Sequence, residues 1–194
     1  VVNPDYLNRM RLPKRLWGTT IGVVQNPQRK YLEKFIANMD AFLKRGVGLL
    51  LWGDYGRGKS SAGAVLLQSI ADRGRTGLFV YADDITGYVI NKTAFDADMT
   101  MIERMMTVDL LVIDDFTIAK KDSFADSKFE MIFRRRTSEM KSTIITTNLS
   151  PTFIKENFPA LFAVMIEVLF PVRFDGMNLR ESSRDGISGE FENG

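Results

Sequence analysis

The stretch "LLLWGDYGRGKSS", residues 49–61, sets an apolar run directly against a loop of three glycines, an arginine, a lysine and two serines. The run reads as a strand buried in a sheet, and a helical pattern begins at residue 59. Within it, Gly53-Asp54-Tyr55-Gly56-Arg57-Gly58-Lys59-Ser60 fits the spacing G-x-x-x-x-G-K-[ST] in its required strand-to-helix context. Glycines let the backbone wrap closely around a chain of phosphates. Successive N–H groups and the positive end of the following helix then face the anion. Lys59 supplies a point charge for β- and γ-phosphates, and the Ser60 hydroxyl suits magnesium. Residues Gly53, Asp54, Tyr55, Gly56, Arg57, Gly58, Lys59, Ser60 and Ser61 therefore form the candidate nucleotide-binding set. The bland alternative is a glycine-bearing strand-to-helix turn.

The rest of the chain narrows the chemistry. It has 194 residues, 45% of them hydrophobic, and a net charge of +2, which suits one globular domain and does not by itself argue for nucleic acid. There is no cysteine and no histidine. Disulfides, Cys/His metal sites, histidine bases and cysteine nucleophiles are excluded together, so a metal must rest on oxygen ligands, as Mg²⁺ does. No apolar stretch is long enough to cross a bilayer, so no membrane partner and a cytoplasmic location are expected.

Further apolar runs at 77–82, 109–114, 142–147 and 167–174 alternate with helical patterns near 59–73, 98–106 and 126–140. Continuous rather than alternating apolar strands imply burial on both faces, hence a parallel sheet between helical layers. Pro171 marks the last run as an edge strand or a bulge. Pro4 and Pro13 make residues 1–25 read as an extended basic entry segment, followed by one amphipathic helix from Asn26 to about Gly46. The polar tail 181–194 reads as mobile.

Two more strand ends carry chemistry. "DLLVIDDF" places Asp114 at the C-terminal end of a strand, where ligands of open parallel sheets gather. Asp114 can hold Mg²⁺ together with Ser60, and Asp115 is placed to orient or polarise an attacking water. "TIITTNLS" ends a strand in Asn148, whose amide can bond a γ-phosphate or its aligned water. Equally, Asn-Leu-Ser-Pro is good turn and helix-start chemistry. Arg134, Arg135 and Arg136 point in three directions on a helix and read as solvated or capping residues. Lys120 and Lys121 suit either a solvated loop or a DNA backbone. Trp17 and the methionines at 99, 101, 105 and 106 read as core.

Taken in order, "GDYGRGKS", "LLVIDDF" and "TIITTNLS", with "RLPKRLWGTT" and "FEMIFRRRTSEMKSTIITTN", resemble the AAA+ ATPases of the DnaC-type helicase-loader and IstB-type transposition-helper family. The resemblance implies a three-layer αβα P-loop NTPase fold over residues 1–180, with a five-stranded parallel sheet. In it, the Asn148 strand lies between those of the phosphate loop and of Asp114. It implies an ATPase using ATP and Mg²⁺, with Lys59, Asp114, Asp115 and Asn148 catalytic, Asn148 as sensor 1, and Arg180, or else Arg184, as the sensor-2 arginine. It implies a replicative DNA helicase and single-stranded DNA as partners, self-oligomers, and control of those contacts by the ATP state. The alternatives are a transposition-helper ATPase and a nucleotide-binding scaffold with little hydrolysis. A small-molecule kinase is weaker, because no arginine-rich lid is evident. The helicase-binding domain that precedes this core in typical loaders is not expected in this sequence. One departure matters: residues 156–172 contain no Lys or Arg, where the family carries an arginine finger. A partner's charge or a displaced Arg173 would have to serve.

Overall fold

The computed structural model describes residues 2–85, 95–117, 123–176 and 178. Its five strands are β1 (Gly48–Trp52), β2 (Gly77–Tyr81), β3 (Leu110–Phe116), β4 (Ser142–Thr147) and β5 (Leu169–Arg173). They form one sheet in the order β2-β3-β4-β1-β5, with every pair parallel. The Asn148 strand, β4, thus separates β1 from β3. Pro171 lies in β5 at the sheet edge, opposite Leu50, where its missing N–H leaves no inner ladder bond unmade.

Successive residues of each strand feed opposite faces, and both faces are covered. Leu49, Leu51, Val112 and Ile144 pack beneath α2 (Gln28–Ala37), α3 (Met39–Lys44) and α4 (Lys59–Gln68), against Leu32, Phe35, Met39 and Leu66. Leu50, Leu111, Ile113 and Ile145 pack on the other face, against Met105 of α5 (Phe95–Thr107), Phe133 of α6 (Ser123–Ser138), Ile154 of α7 (Pro151–Asn157) and Met165 of α8 (Pro159–Val168). Among the described residues no helix is long and apolar enough to cross a membrane.

Several local expectations are corrected. The entry segment is not extended throughout: α1 (Pro4–Arg9) forms there, with Asn3 accepting the Asp5 N–H at 2.8 Å. Pro4 occupies the first helical position, where an absent N–H costs nothing. The helix expected from Asn26 to Gly46 breaks at Asn38 into α2 and α3, and it starts after Pro27, which is the N-cap. Two helices, α7 and α8, fill the segment before β5. Ser150 caps α7 by accepting the Phe153 N–H at 3.1 Å. The run "PALFAVMIEVLFPV" is apolar all round, so no period separates its helix from its strand.

Arg136 is not solvated; of the two expected roles it takes the capping one, toward the Met105 and Val108 carbonyls. It is fully buried, whereas Arg134 and Arg135 are exposed and pair with Glu130 and Glu139. Trp17 packs against the core and donates its indole N–H to the Leu12 carbonyl at 2.8 Å. Met101 and Met105 are buried. Lys120, Lys121, Arg180, Arg184 and the tail 181–194 lie outside the described residues.

Asp109 ties the sheet together at the end away from the phosphate loop. Its carboxylate accepts the Thr76 N–H at 3.0 Å, the Thr76 hydroxyl at 2.9 Å and the Lys141 ammonium at 3.0 Å. Burial pushes its pKa up, but the Thr76 and Lys141 bonds outweigh that and hold it below the ordinary carboxylate value. A depressed folded-state value contributes stability above the unfolded pKa, and that contribution is lost as the pH falls through the folded value. Asp109→Asn should therefore cost about 1 kcal/mol at pH 7. The deficit should shrink below about pH 4. Urea unfolding at several pH values checks this, and a deficit independent of pH would exclude the charge as its source.

Candidate functional site

The loop between β1 and α4 turns back on itself through three glycines, Gly53, Gly56 and Gly58, whose positive φ would strain other residues. Gly53 has φ 136°, and a Cβ there would sit 2.1 Å from the Phe174 carbonyl oxygen. Gly58 has φ 85° and is the N-cap of α4, with no side-chain cap. The first N–H groups of α4 are thus left for another acceptor. Lys59, the first residue of that helix, is only 8% exposed. Its ammonium donates to the Gly53 and Asp54 carbonyls, both at 2.6 Å, and to Asn148 Oδ1 at 2.8 Å.

Asp114 lies opposite, 1% exposed, near the end of β3. It accepts the Thr146 hydroxyl at 2.6 Å and is hydrogen-bonded to Ser60. Asp115 has a left-handed φ of 56° at a register irregularity between β3 and β4. Aspartate tolerates this conformation better than most residues. The kink turns Asp114 inward and leaves Asp115 exposed, with its N–H bonded to Thr146 Oγ1 at 2.9 Å. Asn148 bridges the two sides: its Nδ2 reaches Asp115 Oδ1 at 3.5 Å.

These groups surround one cavity of about 270 Å³, lined by residues 55–61, Asp114, Asp115, Thr146 and Asn148, with Arg15, Leu16 and Tyr81 closing one side. Lys59, Ser60, Ser61, Asp114, Asp115 and Asn148 are thus brought together as the motifs suggest, whereas Arg180 is outside the described residues. Sequence reading missed Thr146, which holds both aspartates, and Arg15. Only the inward parity of Thr146 on β4 could have pointed to it.

The donor set fits a nucleotide phosphate chain and an oxygen-bound divalent cation. The α4 amides are uncapped. The Arg57 Nε is buried and has no hydrogen-bond partner among the described residues, although its Nη1 donates to the Gly176 carbonyl and its Nη2 lies 3.9 Å from Asp54. Burial raises the Asp114 pKa, and the nearby Asp115 charge raises it further, against the opposing bonds from Thr146 and Ser60 and the charge of Arg15. A raised folded-state value makes the ionised carboxylate a cost above that value. Asp114→Asn should accordingly raise the melting temperature of the protein. A lower melting temperature would contradict the assignment of burial as the dominant effect.

No family model matches the chain. The replicative helicase loader DnaI of Bacillus subtilis (strain 168) is 24% identical over 197 residues, covering 90% of this chain and 62% of that protein. A crystal structure of DnaI superposes with a TM-score of 0.73 at 19% identity, over 87% of this chain and 94% of that one. The DnaC helicase loader gives 0.72 at 21%, over 84% and 100%. The replication initiator DnaA bound to AMPPCP and single-stranded DNA gives 0.67 at 16%, over 98% and 56%. The architecture, a five-stranded parallel sheet between helical layers, is consistent with an AAA+ P-loop core. The chain shares its fold with the solved DnaI, DnaC and DnaA structures. It spans 62% of the length of its curated relative.

Proposed function

We propose that this chain binds ATP with Mg²⁺ in the 270 Å³ cavity and acts as a helicase loader in DNA replication, its ATP state controlling association with a replicative helicase and single-stranded DNA. The observation that carries the reading is the convergence of Lys59, Ser60, Asp114 and Asn148 on uncapped helix amides. Ser60 and Asp114 would hold the cation, and Lys59 with the loop amides would hold the β- and γ-phosphates. Mg²⁺ would supply charge neutralisation across the phosphate oxygens. Asp115 would orient water and take up its proton.

Asn148 supports the regulatory part of the reading. Its oxygen holds the Lys59 ammonium and its amide reaches Asp115. A Lys59 drawn to phosphate would free that oxygen and let Asn148 reorient. The Ser150 cap of α7 begins two residues further on, so a shift at Asn148 has a direct route into α7. DnaI and DnaC are helicase loaders by name, which favours a helicase over a transposase as partner. Self-assembly on DNA belongs to the same reading.

The test is capture of a purified replicative helicase and of single-stranded DNA by wild-type and Lys59→Ala protein, each with ATP, ADP or no nucleotide. Capture that depends on nucleotide in the wild type and is lost in the variant is expected. Capture indifferent to nucleotide in both would reject ATP-state control.

A further inference from the structure

Arg15 is the cation on the wall of the cavity for which no role has been assigned. It sits in a 3₁₀ turn, residues 14–16, whose neighbours are fixed: Leu12 and Leu16 are buried, the Leu16 N–H donates to the Pro13 carbonyl at 2.8 Å, and the Trp17 indole clamps Leu12. The backbone is held while the guanidinium is exposed. Its Nη2 reaches the Tyr81 hydroxyl at 3.5 Å. Tyr81 pairs in register with Asp114, so Arg15 stands over the ends of β2 and β3, on the Asp114 side of the cavity. Its charge acts on the Asp114 carboxyl. Arg15 has no carboxylate partner within ion-pair distance among the described residues.

The other candidate is differently placed. Arg173 ends β5 at the far edge of the sheet, stacks over the Trp52 ring at 5.4 Å and lies 3.9 Å from Asp175. Residues 156–172 offer no cation at all. Two acidic groups, Asp114 and Asp115, face the cavity beside Arg15. A bound triphosphate would add further negative charge there, which makes an exposed guanidinium at this wall useful in phosphoryl transfer.

We propose that Arg15 closes onto the γ-phosphate from within the same chain and serves as its catalytic arginine, an inference that rests on the ATP reading above. Hydrolysis breaks the bond between the γ-phosphorus and the β–γ bridging oxygen and forms one to the water oxygen. The water's proton leaves through Asp115, giving ADP, phosphate and a proton. The γ-oxygens and the bridging oxygen carry the charge that Arg15 meets.

The experiment compares wild type, Arg15→Ala and Arg15→Lys, with Mg²⁺ present, by calorimetry with ATP, ADP and ADP–aluminium fluoride, and by turnover with single-stranded DNA and helicase. Arg15→Ala should leave ADP affinity within about threefold, weaken ADP–aluminium fluoride about 100-fold and slow turnover by at least as much. Arg15→Lys should recover part of both, since a point charge replaces part of a fork. Thermal melting confirms folding, which an exposed side chain should not disturb. If Arg15→Ala binds ADP–aluminium fluoride as the wild type does, or loses ADP equally, the role of Arg15 is overturned and the nucleotide site stands. If the wild type takes up no nucleotide, both fall.

Discussion

Replacing Arg136 by alanine is expected to destabilise the protein by about 3–5 kcal/mol, because several buried acceptors lose their donor at about 1–3 kcal/mol each. The side chain is fully buried. Its Nε donates to Thr143 Oγ1 at 2.9 Å, one Nη donates to the Met105 and Val108 carbonyls at 2.6 and 3.0 Å, and the other to the Ser142 carbonyl. Met105 lies in the last turn of α5 and Val108 just beyond it, where helix carbonyls lack intrahelical donors and the dipole favours a cation. Arg136 therefore caps α5 from across the domain and fastens it to the start of β4. Burial pushes its pKa down to about 9, with the Asp109 charge opposing, so the guanidinium remains charged at neutral pH. Alanine would leave those carbonyls without donors beside a cavity. Arg136→Met should fare little better, because it fills the space without restoring the bonds. Urea unfolding measures both. A loss below about 1 kcal/mol for alanine would show that water replaces the guanidinium freely.

Lys59→Ala is expected to weaken ATP binding at least about 100-fold, or about 2.7 kcal/mol. Two carbonyls of its own loop and Asn148 Oδ1 are among the acceptors of the ammonium, none of these three with a formal charge. A phosphate oxygen is a stronger acceptor, so the lysine contributes more to the bound state than to the free one. ATP at about 100 times its Kd should raise wild-type stability by about 2.7 kcal/mol, seen as a higher melting temperature. The same addition should stabilise Lys59→Ala by about 0.4 kcal/mol or less. A variant that shifts with ATP as far as the wild type would place the triphosphate elsewhere.

Legibility in the sequence followed locality. The phosphate loop, the Asp114 strand end and the Asn148 strand end each span a few consecutive residues, and their chemistry is carried by residue type and spacing. All five strands fall within two or three residues of where their apolar runs place them, because burial on both faces leaves no ambiguity of composition. The segment 159–168 failed for the opposite reason: it is apolar almost all round, so only packing against α6 and β5 separates helix from strand. At α1, a proline that breaks a helix interior instead starts one.

The sequence by itself determined the glycine-rich loop between strand and helix, the strand–helix alternation that makes a parallel sheet, and the absence of any thiol or imidazole chemistry. The tertiary structure decided which polar groups meet. Thr146 serves both aspartates because β3 slips in register against β4, Arg15 overlooks Asp114 because the entry segment folds across the ends of β2 and β3, and Arg136 is buried because α5 ends where its fork can reach. Each depends on residues some thirty to a hundred positions apart. No local preference encodes that proximity, and only the burial of two apolar sheet faces brings it about.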